Sequence, residues 1–126
     1  MRLLLDTAVL IYAADSAGNL SKRASVALRN ANNLLEVSAI SLVEIAIKAA
    51  VGKLSFSETT VQQALKDLGI RVLPYTSEHA FRLFSLPLHH RDPFDRQIIA
   101  QALCENVVVV TPDRHFSRYE GLKVVW

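Results

Sequence analysis

Short apolar runs alternate with longer amphipathic stretches along the whole of this chain, and that alternation constrains its fold more than any other feature. Leu3 to Leu5, Leu35 to Ser38, Ile70 to Leu73, Val107 to Val110 and Val124 to Trp126 read as strands. Between them Val9 to Ala14, Ser21 to Asn30, Ser41 to Val51, Glu58 to Leu68 and Ser77 to Phe84 read as helices, as does the stretch from Asp92-Pro93 to Cys104. Strands separated by helices are the pattern of βαβ units with right-handed crossovers. The expected fold class is therefore α/β, with a central parallel sheet flanked by helices.

Helix ends are marked by side chains that satisfy orphaned backbone groups. Ser41 is expected to cap the third helix, with Glu44 at the capping-box position and Gly52 as its stop. Ser57 and Gly69 bracket the fourth helix, Ser77 caps the fifth, and Asp92 caps the sixth ahead of Pro93 at the first helical position.

With 126 residues and 51% hydrophobic content, the chain fits one domain, residues 1–126, with a real core. No stretch approaches the apolar length of a membrane span. The opening Met-Arg-Leu-Leu-Leu-Asp is too short an apolar run for a signal peptide, so a cytoplasmic protein with no membrane partner is expected. Cys104, the lone cysteine, falls in an apolar series and reads as a core thiol. A net charge of +2 permits contact with a polyanion without demanding it.

Asp6 closes the first apolar run, and Asp113 follows the run Val107 to Val110 after Thr111-Pro112. Both fall at strand carboxyl ends, where open parallel sheets bind ligands. Glu44 is flanked by Leu42, Val43, Ile45, Ala46 and Ile47, so its carboxylate has little polar face to occupy and is costly unless paired or metal-bound. Asp95 stands at the third position of a helix capped by Asp92. Each acid also has a structural use: Asp6 as a cap, Asp113 in a turn, Glu44 paired with Lys48, Asp92 as a cap that also orients a ligand. Together Asp6, Glu44, Asp95 and Asp113 make an oxygen-rich site suited to Mg2+ or Mn2+. Thr7 and Ser41 offer hydroxyls beside it. Arg91, Arg96, Arg114 and His115 would bind a phosphate or neutralise the acids. His89-His90 has no partner at the spacing of a zinc motif, and His79 lies on a separate helix.

These residues resemble the PIN-domain nucleases, and among them the VapC-type toxins of toxin–antitoxin pairs. The resemblance spans the chain: Leu-Leu-Leu-Asp-Thr, then Ser-Ala-Ile-Ser-Leu-Val-Glu-Ile with Gly52-Lys53-Leu54, then His-Arg-Asp-Pro-Phe-Asp-Arg leading into Ala100-Gln101-Ala102, then Thr-Pro-Asp. It implies an acidic quartet of Asp6, Glu44, Asp95 and Asp113 that is both catalytic and metal-binding. It also implies hydrolysis of RNA phosphodiesters by metal-activated water, a cognate antitoxin and a homodimer. Ala8 stands where relatives often carry a histidine, a departure that touches a minor substrate contact. Crowded carboxylates repel, so some should titrate upward without metal. The resemblance further implies an apolar groove for an antitoxin tail, here expected around Leu10, Ile11, Tyr12, Val26, Leu28, Phe81 and Phe84.

Two other readings compete. A receiver-type signalling domain needs an acidic pair after its first strand and a late lysine, whereas Asp6 is single and Thr-Pro-Asp occupies the late position. A catalytically silent PIN-like RNA- or protein-binding module would tolerate loss of the acids, and they are intact.

Overall fold

The structure, a computed structural model, describes residues 1–126 and contains five strands and six helices. In chain order these are β1 Arg2–Leu5, α1 Thr7–Asp15, α2 Lys22–Arg29, β2 Leu34–Ser38, α3 Ala39–Ala50, α4 Glu58–Leu68, β3 Arg71–Leu73, α5 Ser77–Arg82, α6 Pro93–Glu105, β4 Val108–Val110 and β5 Lys123–Val125. All four strand pairings are parallel, in the order β3-β2-β1-β4-β5. The α/β expectation holds. The chain winds outward in one direction from β1 to β2 and β3, then crosses back to β4 and β5. The switch point lies between β1 and β4, and the crevice beyond their carboxyl ends is where this topology binds ligands.

Pleating divides the apolar runs between two cores. Leu3 and Leu5 face one layer, with Val9, Leu10, Ala24, Val37, Ile45 and Val110. Leu4 faces the other, with Ile98, Ile99, Ala102, Val109 and Phe116. Alternate residues of a strand point to opposite faces, and helices cover both faces, so the central runs are apolar throughout rather than every second residue.

Two helix starts differ from the expected ones. Helix α3 begins directly where β2 ends, and Ser38 caps it through Oγ, which accepts from the Ile40 N–H at 3.0 Å. Ser41 is instead a buried residue inside the helix, so Glu44 stands beyond the capping-box position. Helix α5 is capped by Thr76 rather than Ser77. Thr76 Oγ1 accepts from the His79 N–H at 3.4 Å, while His79 Nδ1 accepts from the Thr76 N–H at 3.0 Å. A histidine thus stands where a capping box usually carries Glu or Gln. Its Nε2 lies 3.0 Å from Glu105 Oε2, which commits His79 to structure. Cys104 is half-buried and free.

Candidate metal centre at the switch point

Asp6 leaves β1 at its carboxyl end and caps α1, with Oδ1 accepting from the Val9 N–H at 2.8 Å. Its other oxygen accepts from the Thr111 hydroxyl at 2.5 Å, across the switch point from the end of β4. The Asp113 N–H donates back to Thr111 Oγ1 at 3.0 Å. One threonine thus joins the two strand-end acids, and the expected Asp6 cap is present. Thr111 lacks any mark in the sequence beyond its place between a strand and a Pro-Asp turn.

Glu44 reaches the same crevice from α3. It is buried, and Oε2 accepts from Lys48 Nζ one helical turn later. Its Oε1 is also buried but has no hydrogen-bond partner. Asp95 comes from the first turn of α6, where Asp92 Oδ1 accepts from the N–H groups of Phe94 and Asp95 at 2.9 and 3.0 Å. Asp6, Glu44, Asp95 and Asp113, with Thr7, Lys48 and Asp92, line one cleft of about 300 Å³.

The cleft is electrostatically strained. Burial, reinforced by the charges of Asp113 and Glu44, raises the Asp6 carboxyl to about 6 despite the hydrogen bonds from Thr111 and Val9. Asp95 is raised to about 7, by burial first and then by the charges of Asp92, Asp6, Asp113 and Glu44. Asp113 escapes this. Burial pushes its carboxyl up, but the backbone and side-chain hydrogen bonds from His115 outweigh it and hold the carboxyl below its usual value. The Lys48 ammonium is raised, chiefly by its hydrogen bond to Glu44.

The remaining polar candidates separate. Thr7 Oγ1 donates to Ser41 Oγ at 2.9 Å, joining α1 to α3 beside the cleft, and Ser41 is fully buried. The Arg96 guanidinium is spent on backbone carbonyls and a tyrosine hydroxyl, and it does not line the cleft. Its Nη1 donates to the Pro87 carbonyl at 2.8 Å and to Tyr119 Oη at 3.2 Å, and its Nη2 donates to the Leu86 carbonyl at 3.2 Å. That guanidinium anchors the segment leading to His90. Arg91 and Arg114 are exposed.

His90 is the residue that sequence spacing misses. One ligand atom each from His90, Asp95 and Asp113 lie within 4.8 Å of one another. This trio overlaps the quartet at Asp95 and Asp113, and Asp6 and Glu44 line the same cleft as those two. Burial and the nearby His115 charge lower the His90 pKa. A hard, oxygen-rich donor set with an orphaned Glu44 oxygen and two carboxyls raised by burial and by their neighbours' charges fits a divalent cation.

A parallel sheet with acids converging at its switch point defines a class, and comparison with known proteins gives its family. The chain matches the PIN domain family over residues 3–122 and belongs to it. Nucleases are general in that family, commonly with divalent metal. Its fold is similar to that of VapBC2 from Rickettsia felis, solved bound to a DNA fragment from its promoter, with a TM-score of 0.70, 22% identity and coverage of 99% of this chain and 98% of that one. The DNA-bound VapBC of Salmonella typhimurium gives 0.71, 20%, 99% and 97%. FitAcB from Neisseria gonorrhoeae gives 0.64, 19%, 98% and 96%. No curated protein matches the chain.

Proposed function

We propose that the protein is a Mg2+- or Mn2+-dependent endoribonuclease and the toxin component of a toxin–antitoxin pair, acting in the cytoplasm. The observation that carries this reading is the convergence of Asp6, Glu44, Asp95 and Asp113 on one cleft, where Asp6 and Asp95 are raised by burial and mutual repulsion. In this reading all four carboxylates are metal-binding and catalytic. A divalent cation at such a site supplies an activated water and screens charge on the phosphodiester and its leaving oxygen. Thr111 holds Asp6 in place, Asp92 orients the helix turn that presents Asp95, and Lys48 offsets the Glu44 charge. No serine or cysteine nucleophile is needed.

Purified protein should cleave RNA with Mg2+ or Mn2+ and lose that activity in chelator. Asp6→Asn and Asp95→Asn should remain folded and lose activity by about 100-fold or more, the scale on which one group stabilising the transition state acts. Either variant cleaving RNA at the parent rate removes that residue from the machinery. A folded parent that binds RNA but cleaves none with either metal points instead to a silent binding module.

The partner reading has its own structural support. Residues Leu42, Ile45, Ala46, Ala49 and Ala50 fall on one face of α3 and, with Phe56, Val61 and Leu65, line an apolar groove of about 630 Å³. The groove lies between α3 and α4, and a small apolar pocket lined by Leu10, Ile11 and Ala14 of α1 adjoins it at Ile45, Phe56 and Val61. Leu10 is buried in the core and Ile11 packs against it; Val26, Phe81 and Phe84 are exposed elsewhere. Glu44 and Lys48 occupy the neighbouring face of α3, so an apolar helix of an antitoxin seated there would lie alongside the acidic cleft. Homodimer formation belongs to the same proposal. No helix is long and apolar enough to cross a membrane.

A further inference from the structure

The acidic quartet leaves one buried group unexplained. The His90 side chain is 9% exposed. Its Nδ1 lies 2.7 Å from Tyr119 Oη, and its ring stacks on that of His115 with centroids 5.1 Å apart and planes 10° apart. Tyr119 is itself fixed by Arg96. The ring is therefore held in one orientation. Its Nε2 is buried without a hydrogen-bond partner and faces Asp95 Oδ2 at 3.6 Å, beyond good hydrogen-bond length.

Such an atom is costly to bury unless something satisfies it. A cation would do so. Ligand atoms about 2.1 Å from an octahedral ion stand about 3 Å apart when adjacent and 4.2 Å when opposite. The donors of His90, Asp95 and Asp113 already fall within 4.8 Å of one another, so a small closure brings all three onto one ion. The tautomer with a free Nε2 lone pair carries its proton on Nδ1, where Tyr119 Oη accepts it. That is the outer hydrogen bond that fixes a metal-binding imidazole.

We propose that His90 is the nitrogen ligand of the cation held by Asp95 and Asp113, which makes the centre a mixed nitrogen–oxygen site that favours manganese and later first-row metals over magnesium. This rests on the metal reading of the cleft given above. Imidazole suits transition metals, whereas magnesium takes oxygen donors almost exclusively, so the metal preference follows from the ligand set. His115 is the competing nitrogen. Its Nδ1 is occupied by Asp113 Oδ1 at 2.9 Å, and its side chain is half-exposed.

The test is pulsed electron paramagnetic resonance of Mn2+ bound to the full, metal-stripped chain, with calorimetric titrations of Mn2+ and Mg2+. The parent should show coupling to a directly bound nitrogen, and the pattern should change when histidine alone is labelled with 15N. His90→Gln should abolish the coupling and weaken Mn2+ by at least about tenfold, the scale on which even outer partners of a metal act. Mg2+ affinity should change by less than about threefold. His115→Gln should keep the coupling. Mn2+ bound to the parent through oxygen alone overturns the proposal, and this measurement needs no variant to fold. Coupling that survives His90→Gln overturns it as well. RNA cleavage by a parent whose Mn2+ shows no nitrogen leaves the nuclease reading standing and removes only His90, whereas absence of any Mn2+ or Mg2+ binding removes both.

Discussion

Asp95 has the most informative charge state in the molecule, because its surroundings work against its ionised form and none of its own hydrogen bonds relieves them. A carboxyl raised from 3.8 to about 7 keeps its proton in the folded chain at pH values where the unfolded chain has released it. Stability attributable to Asp95 therefore falls as pH climbs from about 4 to about 7. His90, whose pKa is lowered, works in the opposite direction, so the comparison must be between two proteins rather than along one curve. In chelator, Asp95→Asn should gain stability over the parent between pH 5 and pH 8. The gain should be on the order of 2 kcal/mol, about half of what the full displacement gives at about 1.4 kcal/mol per pH unit. Saturating metal should abolish or reverse it. Denaturant melts at the two pH values decide the matter, and an unchanged or negative difference in chelator means that the carboxyls do not crowd as described. Much of that crowding was legible in the sequence: Asp6 and Asp113 follow strands, Asp95 lies in a first helical turn, and Glu44 stands among apolar neighbours that leave it little polar face. His90 was not. Ligand-spacing rules read neighbours within one element, and here a loop histidine is brought to α6 by an arginine clamp on carbonyls that leaves no mark in composition.

Helix starts show how a local pattern can admit two answers. Ser38 and Ser41 lie one turn apart, and either can cap; what decides is that β2 runs to Ser38 and passes into α3 without a loop. Only the strand pairing of Ser38 with Leu73 settles where extended backbone ends. At α6, by contrast, Asp92 followed by Pro93 admits one reading, and Asp92 Oδ1 accepts from two backbone N–H groups. Asp92 is also the largest charge acting on Asp95. Its two effects separate by substitution. Asp92→Asn keeps an acceptor oxygen for the cap and removes the charge, so stability in chelator should stay within about 0.5 kcal/mol of the parent or improve. Asp92→Ala loses the cap as well and should melt about 1 kcal/mol lower than Asp92→Asn. Equal stabilities for the two variants would show that the cap contributes nothing at this helix.

At the scale of the whole molecule, the alternation of apolar runs discloses a parallel sheet but not the order of its strands, because several right-handed arrangements bury the same runs. The order β3-β2-β1-β4-β5 is what carries Asp6 and Asp113 to one crevice although 107 positions separate them. The same packing sets the apolar groove beside the cleft, since α3 presents Leu42, Ile45, Ala46, Ala49 and Ala50 to α4 while Glu44 and Lys48 turn toward the strand ends. That division was partly legible: the helix is apolar nearly all round, but which of its faces a partner could reach depends on where α4 lies. Ala46 is the position that tests the groove, because it lines it and is already exposed, so a charged side chain there need not be buried in the free protein. Ala46→Glu should fold, should cleave RNA at close to the parent rate, and should resist inhibition by the cognate antitoxin. Loss of affinity should be at least about tenfold, since each 1.4 kcal/mol is tenfold and a charge against an apolar partner helix costs more than that. Tyr12→Asp, outside the groove, should bind as the parent does wherever it folds. Co-purification and inhibition titrations with the antitoxin measure both variants. Full inhibition of Ala46→Glu at the parent's antitoxin concentration would place the partner on another surface and leave the groove without that role.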